Sequence, residues 1–232
     1  MNKEEFIKEL EKLNINITSD MLKKLDIYYN LLVSYNKNVN LTSITEEKEV
    51  YLKHFYDSLT LIKAIDLTKP LKVCDVGTGA GFPGLVLKIV FPTLSITLVD
   101  SLEKRVKFLN DVIEKLDLED ICAVHSRIED LKNIEEYDLV VSRAVSKTST
   151  ILELSSRLPK VNGFVILMKA NVSEELKNAK NAIEKLSYKL ENVINFKLPI
   201  EDSERNLVVL KKINHTKNIY PRPYSKIKVK SL

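Results

Sequence analysis

The chain has no tryptophan, two cysteines, three histidines and five glycines in 232 residues. Each scarcity excludes a class of protein. Two cysteines cannot supply the framework of a small disulfide-stapled domain, and no metal-ligand spacing surrounds Cys74 or Cys122. Both are expected to be reduced residues inside core strands. Uncharged stretches such as 76–87 fall short of a membrane span and contain glycine. The segment Met1-Asn2-Lys3-Glu4-Glu5 is not a cationic and apolar leader, so a cytoplasmic protein with no membrane partner is expected. Neither Gly-x-Ser-x-Gly nor a His/Cys cluster occurs, and no metal is expected. No internal repeat or low-complexity tract is visible.

What glycine there is, is concentrated. Four of the five fall in the run Cys74-Asp75-Val76-Gly77-Thr78-Gly79-Ala80-Gly81-Phe82-Pro83-Gly84. A short apolar strand at 71–76 precedes this run and an apolar helix at 84–91 follows it. Such a junction lets backbone N–H groups approach an anionic or nucleotide-like ligand, with the positive end of a helix behind them. The spacing selects among cofactors. The dinucleotide fingerprint requires glycine where Phe82 stands, and a phosphate-binding loop requires a Lys-Ser/Thr pair that Lys88 does not supply. The alternation Gly77-x-Gly79-x-Gly81, led by Asp75, suits S-adenosylmethionine in a Rossmann-like methyltransferase.

The net charge of +4 conceals an asymmetry. From Arg205 onward there are eight Lys or Arg residues and no acid, whereas residues 1–204 carry 28 basic and 32 acidic groups. A basic end on a mildly acidic body suits an anionic partner, or else a solvated tail with no partner.

Three segments are expected: an N-terminal helical cap at 1–66, a methyltransferase domain at 67–212, and an extended basic tail at 213–232. In the cap, Phe6, Ile7, Leu10 and Leu13 share one helical face, and Met21 to Tyr35 repeats the pattern behind the N-cap candidates Thr18-Ser19-Asp20. A third helix is predicted over 48–65. Beyond Pro70, strands are predicted at 71–76, 95–100, 120–124, 138–142, 162–168, 190–197 and 206–212. Helices are predicted at 84–91, 103–116, 148–158 and 173–187. The fold class is therefore α/β: a doubly wound, seven-stranded, mostly parallel sheet whose last two strands form an antiparallel edge hairpin.

Asp100, at the end of the second strand, is placed to accept from ribose hydroxyls or to cap the helix that follows. Arg127-Ile128-Glu129 follows the third strand, where an adenine would rest. Ser142-Arg143-Ala144 follows the fourth, facing the transferred methyl; Arg143 there could bind a carboxylate, orient a substrate, or be a surface residue. The Asn/Asp-Pro-Pro-aromatic signature of exocyclic-amine methyltransferases is absent from that position. A ring nitrogen with a free lone pair, such as guanine N7, needs no proton removed, so positioning alone would supply most of the rate.

Taken together, these motifs resemble the bacterial 16S rRNA guanine-N7 methyltransferase family RsmG, also called GidB. The matching segments are Asn40-Leu41-Thr42, His54 with Asp57-Ser58-Leu59, the glycine run through Phe82-Pro83-Gly84, and Val99-Asp100-Ser101 with Lys104-Arg105. They continue with Arg127-x-Glu129, Ser142-Arg143-Ala144, Lys169, Arg205-Asn206-Leu207 and Tyr220-Pro221-Arg222. The resemblance implies a Rossmann-like class I fold and cofactor contacts from Gly77, Gly79, Phe82, Asp100, Ile128, Glu129 and Arg143. It also implies methyl transfer to N7 of guanine 527 in 16S rRNA of the 30S subunit, with no general base and no evident protein partner. RNA contacts are implied at Asn40, His54, Lys104, Arg105, Lys169, Arg205 and Arg222. Ile128 stands where Ala is usual, Ala170 where Gly is common, and the tail after Pro223 departs from the family pattern. Two other readings stay open: a methyltransferase of the same fold acting on a protein or small molecule, and a non-catalytic rRNA-binding assembly factor.

Overall fold

A computed structural model of the chain describes residues 1–143 and 145–232; Ala144, the third residue of the Ser-Arg-Ala motif, lies outside the described residues. The strands are β1 Lys72–Val76, β2 Ser95–Asp100, β3 Ile121–His125, β4 Tyr137–Arg143, β5 Pro159–Lys169, β6 Tyr188–Lys197 and β7 Glu204–Lys212. They form one sheet in the order β3-β2-β1-β4-β5-β7-β6. The first five pair in parallel; β7 runs antiparallel to both β5 and β6. The expected edge hairpin is therefore present, with its second strand inserted between β5 and the edge.

Alternate residues along each strand separate the core into two layers, as the pleat requires. Val73, Leu98, Leu139, Val141 and Ile166 face one buried cluster. Cys74, Val76, Val99, Val140 and Val165 face the other. Burial on both faces explains why these strands read as continuous apolar runs.

The first layer contains α1 Lys3–Glu11 and α2 Ser19–Val39. Asn2 and Glu5 close α1 with a reciprocal capping box, at 2.9 and 2.7 Å. Thr18 Oγ1 accepts from the Met21 N–H at the start of α2. Next comes an irregular run: α3 Glu47–Val50, a π-helical turn Tyr51–Tyr56, α4 Asp57–Leu59 and a 3₁₀ turn Thr60–Lys63. The regular helix expected over 48–65 is thus replaced by turns of three different pitches. His54, Phe55 and Tyr56 of the wide turn are all buried, and burial continues through Leu61. Phe6, Leu10, Leu25, Tyr28, Leu32 and Phe55 are buried in the same cluster as Val73 and Leu98. The helices of residues 1–66 are a layer of the main core.

Helices α5 Gly84–Val90 and α6 Glu103–Lys115 complete this layer. The opposite face is covered by α7 Thr148–Leu154 and α8 Ser173–Lys185. A last helix, α9 Tyr224–Val229, lies where an extended tail is expected from the sequence. Helix α7 also stops at Leu154, short of the expected 158, and β5 starts at Pro159, earlier than the expected 162.

Two further expectations are corrected. Cys74 is buried but Cys122 is exposed, because β3 is an edge strand with one flank uncovered. The basic end is also not a free tail. Lys212 is fully buried and donates to the carbonyls of Ser156 and Leu186 and to Thr216 Oγ1. Arg222 grips Glu153 of α7 through Nε and NH2, both at 2.7 Å, while its backbone N–H donates to the same carboxylate.

Glu153 is fully buried, whereas the Arg222 side chain is 26% exposed. Removing the arginine would leave a carboxylate stranded inside α7. Arg222→Ala is therefore expected to lower unfolding stability by about 2–4 kcal/mol, somewhat less than for a fully buried pair. Urea denaturation at neutral pH measures this; a residue serving only as a phosphate contact would leave the midpoint unchanged.

Candidate functional site

Strand order reverses between β1 and β4, so the crossovers on either side depart in opposite directions and leave a crevice at the carboxyl ends of the strands. A cavity of about 650 Å³ opens there. Its walls come from the loops after β3, β2, β1 and β4, in that spatial order. Three strand spacings separate the first loop from the last, or about 14 Å. The site is therefore built for an elongated ligand read by four successive loops.

The loop after β1 carries left-handed glycines, with φ of +69° at Gly77, +63° at Gly79 and +100° at Gly81. Gly77 and Thr78 donate their N–H groups to the Val99 carbonyl. A Cβ at Gly79 would meet nothing within 4 Å, because the residue faces the open cavity. The bare backbone there is the cradle that a ligand would fill. A Cβ at Gly84 would instead lie 2.2 Å from Leu98 Cδ2 and 2.9 Å from Asp75 Oδ2, so this glycine serves helix–strand contact. Asp75 faces inward: its Oδ2 accepts from Thr78 Oγ1 at 2.7 Å and from the Gly84 N–H at 2.8 Å. Tyr28 of α2, fully buried, donates its hydroxyl to the Ala80 carbonyl at 2.5 Å. Lys88 donates to the carbonyls of Pro92 and Leu94, away from the loop, as fits the rejection of a phosphate-binding loop.

Asp100 closes β2 and lines the cavity. Its Oδ2 accepts from the Gly79 N–H at 3.0 Å and from the Arg105 guanidinium at 3.3 Å, and its Oδ1 accepts from the Leu102 N–H at 2.9 Å. Three of roughly four acceptor directions are engaged. A ligand diol would be received by the remaining direction and by displacement of the longest contact, Arg105. Asp100 thus both orders the turn before α6 and presents a carboxylate to the cavity. Arg105 Nε is buried with no partner among the described residues. After β3, the 3₁₀ turn Ile128–Asp130 places Ile128 and the largely buried Glu129 on the cavity wall.

At the β4 end, Arg143 is enclosed. It donates to the Lys53 carbonyl at 2.9 Å and to Asp57 Oδ2 at 3.4 Å, and its guanidinium lies 5.0 Å from the centre of the Phe82 ring. This excludes the surface-arginine reading. Arg205 also leans on Asp57, at 3.2 Å. Two guanidinium groups share the Asp57 carboxylate, and the buried Asp75 carboxylate adds its charge to the field at Arg143.

His54 stacks on Phe82 with ring centres 4.3 Å apart. Its Nδ1 lies 3.0 Å from Arg143 NH2, and its Nε2 lies 3.0 Å from Thr42 Oγ1. Nδ1 also lies 3.1 Å from the Lys53 carbonyl, so both ring nitrogens have polar neighbours within hydrogen-bond distance. Burial and the Arg143 charge push its pKa down to about 3.

The residues expected at an RNA interface are thus dispersed in role. Lys104 is exposed in the first turn of α6, and Asn40 is the exposed left-handed C-cap of α2. Lys169 donates to the Ser146 carbonyl at 2.5 Å and pairs with Glu175 at 2.9 Å. Arg205 and Arg222 are committed to Asp57 and Glu153, and His54 is uncharged inside the cavity wall. Of these residues Arg105 and His54 line the cavity. The sequence reading missed Tyr28, which it counts as one more apolar position of α2, and Leu154 and Tyr224, which also line the cavity. A helical period cannot distinguish a core tyrosine from one whose hydroxyl braces a loop.

A strand–glycine loop–helix at a switch point, a carboxylate after β2 and an antiparallel edge hairpin together define the S-adenosylmethionine-dependent class I methyltransferases. Solved structures of that class are similar in fold. A SAM-dependent methyltransferase from Aquifex aeolicus superposes with a TM-score of 0.56 at 19% identity, over 72% of this chain and 94% of that one. M. jannaschii TYW2, solved in complex with AdoMet, superposes with a TM-score of 0.54 at 17% identity, over 68% and 77%. The family is narrower. The model of the GidB family, rRNA small subunit methyltransferase G, matches residues 21–208. The ribosomal RNA small subunit methyltransferase G of Bacillus subtilis (strain 168) is 48% identical over 227 residues, spanning 96% of this chain and 95% of the relative. That of Bacillus thuringiensis (strain Al Hakam) is 46% identical over the same extent. The chain belongs to the GidB family of small-subunit rRNA methyltransferases.

The buried imidazole gives a pH signature. The unfolded chain takes up a proton at His54 near pH 6.5, whereas the folded chain does so only near pH 3. Stability from this group is complete above pH 6.5 and is lost as pH falls towards 3. The stability difference between wild type and His54→Gln is expected to change by about 1.4 kcal/mol per pH unit between roughly pH 4 and 6. Denaturant titrations across that range test it, and a constant difference would show that His54 is protonated normally.

Proposed function

We propose that this protein transfers the methyl group of S-adenosylmethionine to N7 of a guanine in 16S rRNA, and that the target is guanine 527 as the family resemblance implies, presented by the 30S subunit. The observation that carries this reading is the pairing, at one end of the cavity, of an enclosed guanidinium with a neutral histidine whose two nitrogens both have polar partners. Arg143 would hold the amino-acid carboxylate of the cofactor. Gly77 and Gly79 let the backbone approach its middle, with Phe82 packed behind. Asp100 would accept from the ribose, and Ile128 and Glu129 would meet the adenine edge through backbone and carboxylate.

When bound, the cofactor supplies an electrophilic methyl group on a sulfonium. What the protein adds at that end is position and exclusion of water. Both nitrogens of His54 are occupied, and Arg143 is a permanent cation, so neither is a proton acceptor for an attacking group. An attacking atom that bears no proton and has its own lone pair suits these residues, and guanine N7 is such an atom. Lys104 and the exposed lysines of α9 would meet the phosphates around the base.

Isotopically labelled methyl from the cofactor is expected to appear in 16S rRNA as N7-methylguanosine when the enzyme meets 30S subunits lacking the modification. Nuclease digestion and mass spectrometry locate it. Label found on protein, or on an exocyclic amine or ring carbon, would overturn the proposal.

A further inference from the structure

The C-terminal segment, expected from its charge to reach for RNA, ends against the cofactor cavity. Tyr224, the first residue of α9, lines the cavity together with Ser126, Arg127, Ile128 and Glu129. Its ring lies 5.3 Å from the Arg127 guanidinium. Two residues earlier, Arg222 is locked by three donors onto the fully buried Glu153 of α7, and its NH2 also donates to the Lys230 carbonyl at the far end of α9. Ile227 of α9 is buried, so the helix is pinned at its start, middle and end. Only Pro223 separates the Arg222 anchor from the tyrosine.

We propose that Tyr224 is a cofactor-specificity residue: an aromatic wall, set in place by the Arg222–Glu153 pair, against which the adenine ring of the ligand packs. This rests on the reading of the cavity as the S-adenosylmethionine site. The placement supports a planar, electron-rich ring as occupant. Tyr224 stands beside the loop after β3, three strands from Arg143, so it meets the end of an elongated ligand opposite the carboxylate. The ring is 42% exposed, and one of its faces is committed to Arg127. Beside it, Ile128 supplies apolar surface and Glu129 an acceptor for an exocyclic amino group. An aromatic ring beside an apolar side chain and a carboxylate matches the flat face and exocyclic amino group of a purine.

Calorimetric titration with two probes separates the outcomes. S-adenosylhomocysteine carries both adenine and carboxylate, whereas 5′-methylthioadenosine carries adenine alone. Tyr224→Ala is expected to weaken both probes equally, by about five- to tenfold, and Tyr224→Phe to restore both. Arg143→Met should weaken S-adenosylhomocysteine far more than 5′-methylthioadenosine, which reports on the carboxylate end independently. In turnover, Tyr224→Ala should raise the cofactor KM with little change in kcat. Unchanged affinity of Tyr224→Ala for both probes overturns the proposal, as does a loss confined to 30S binding, which would make Tyr224 an RNA contact. Failure of wild-type protein to bind either probe overturns the cofactor reading itself and the proposal with it.

Discussion

A buried carboxylate holds the active loop in shape. Asp75, the penultimate residue of β1, lies outside the cavity lining, and one of its oxygens ties Thr78 to Gly84 across the turn between β1 and α5. Three residues of that loop have left-handed backbone, a conformation that costs little for glycine but is not self-sustaining. The carboxylate supplies the constraint from within. Burial pushes its pKa up to about 6, opposed by those two hydrogen bonds. Such a group is tolerated only where its partners are fixed, and Gly84 allows the closeness by having no Cβ. From outside, the Tyr28 hydroxyl fixes the Ala80 carbonyl. The loop is thus held by one group from the sheet and one from the N-terminal layer, and Gly79 is left presenting bare backbone to the cavity.

The same logic governs the basic residues. Charge counting places a cationic end on an acidic body, yet several of those cations never reach solvent as free charges. Lys212 is enclosed by carbonyls, Arg205 shares Asp57 with Arg143, and Arg222 neutralises Glu153. Each of these interactions is worth more inside the protein than a surface pair would be, because low dielectric makes a lost partner expensive. Lysines such as Lys104, Lys226 and Lys228, by contrast, are exposed.

Much of the fold was legible because its signals are local. The glycine run, the β-branched strands and the closing hairpin each report on residues adjacent in sequence. Gly77, Gly79, Phe82, Asp100, Ile128, Glu129 and Arg143 do line one cavity, since all follow the carboxyl ends of strands. What failed to show in the sequence depends on long-range pairing. Nothing near Arg222 announces Glu153, which lies 69 residues away on another helix. Cys122 reads as core because a strand's pattern does not reveal that it will be the edge. The π-helical turn at 51–56 is equally hidden, because its apolar residues suit an ordinary helix.

That turn is where fold and chemistry meet. By widening the helix it brings His54 onto Phe82 and the Lys53 carbonyl onto Arg143. A guanidinium buried in this way needs acceptors for its donors, and the N-terminal layer provides a carbonyl, an imidazole nitrogen and the Asp57 carboxylate. Were His54 charged, it would repel Arg143, so burial that keeps it neutral removes that repulsion from the arginine's surroundings. The helices that precede the sheet are consequently part of the site. They supply the acceptors among which the Arg143 guanidinium is held still at the end of the cavity.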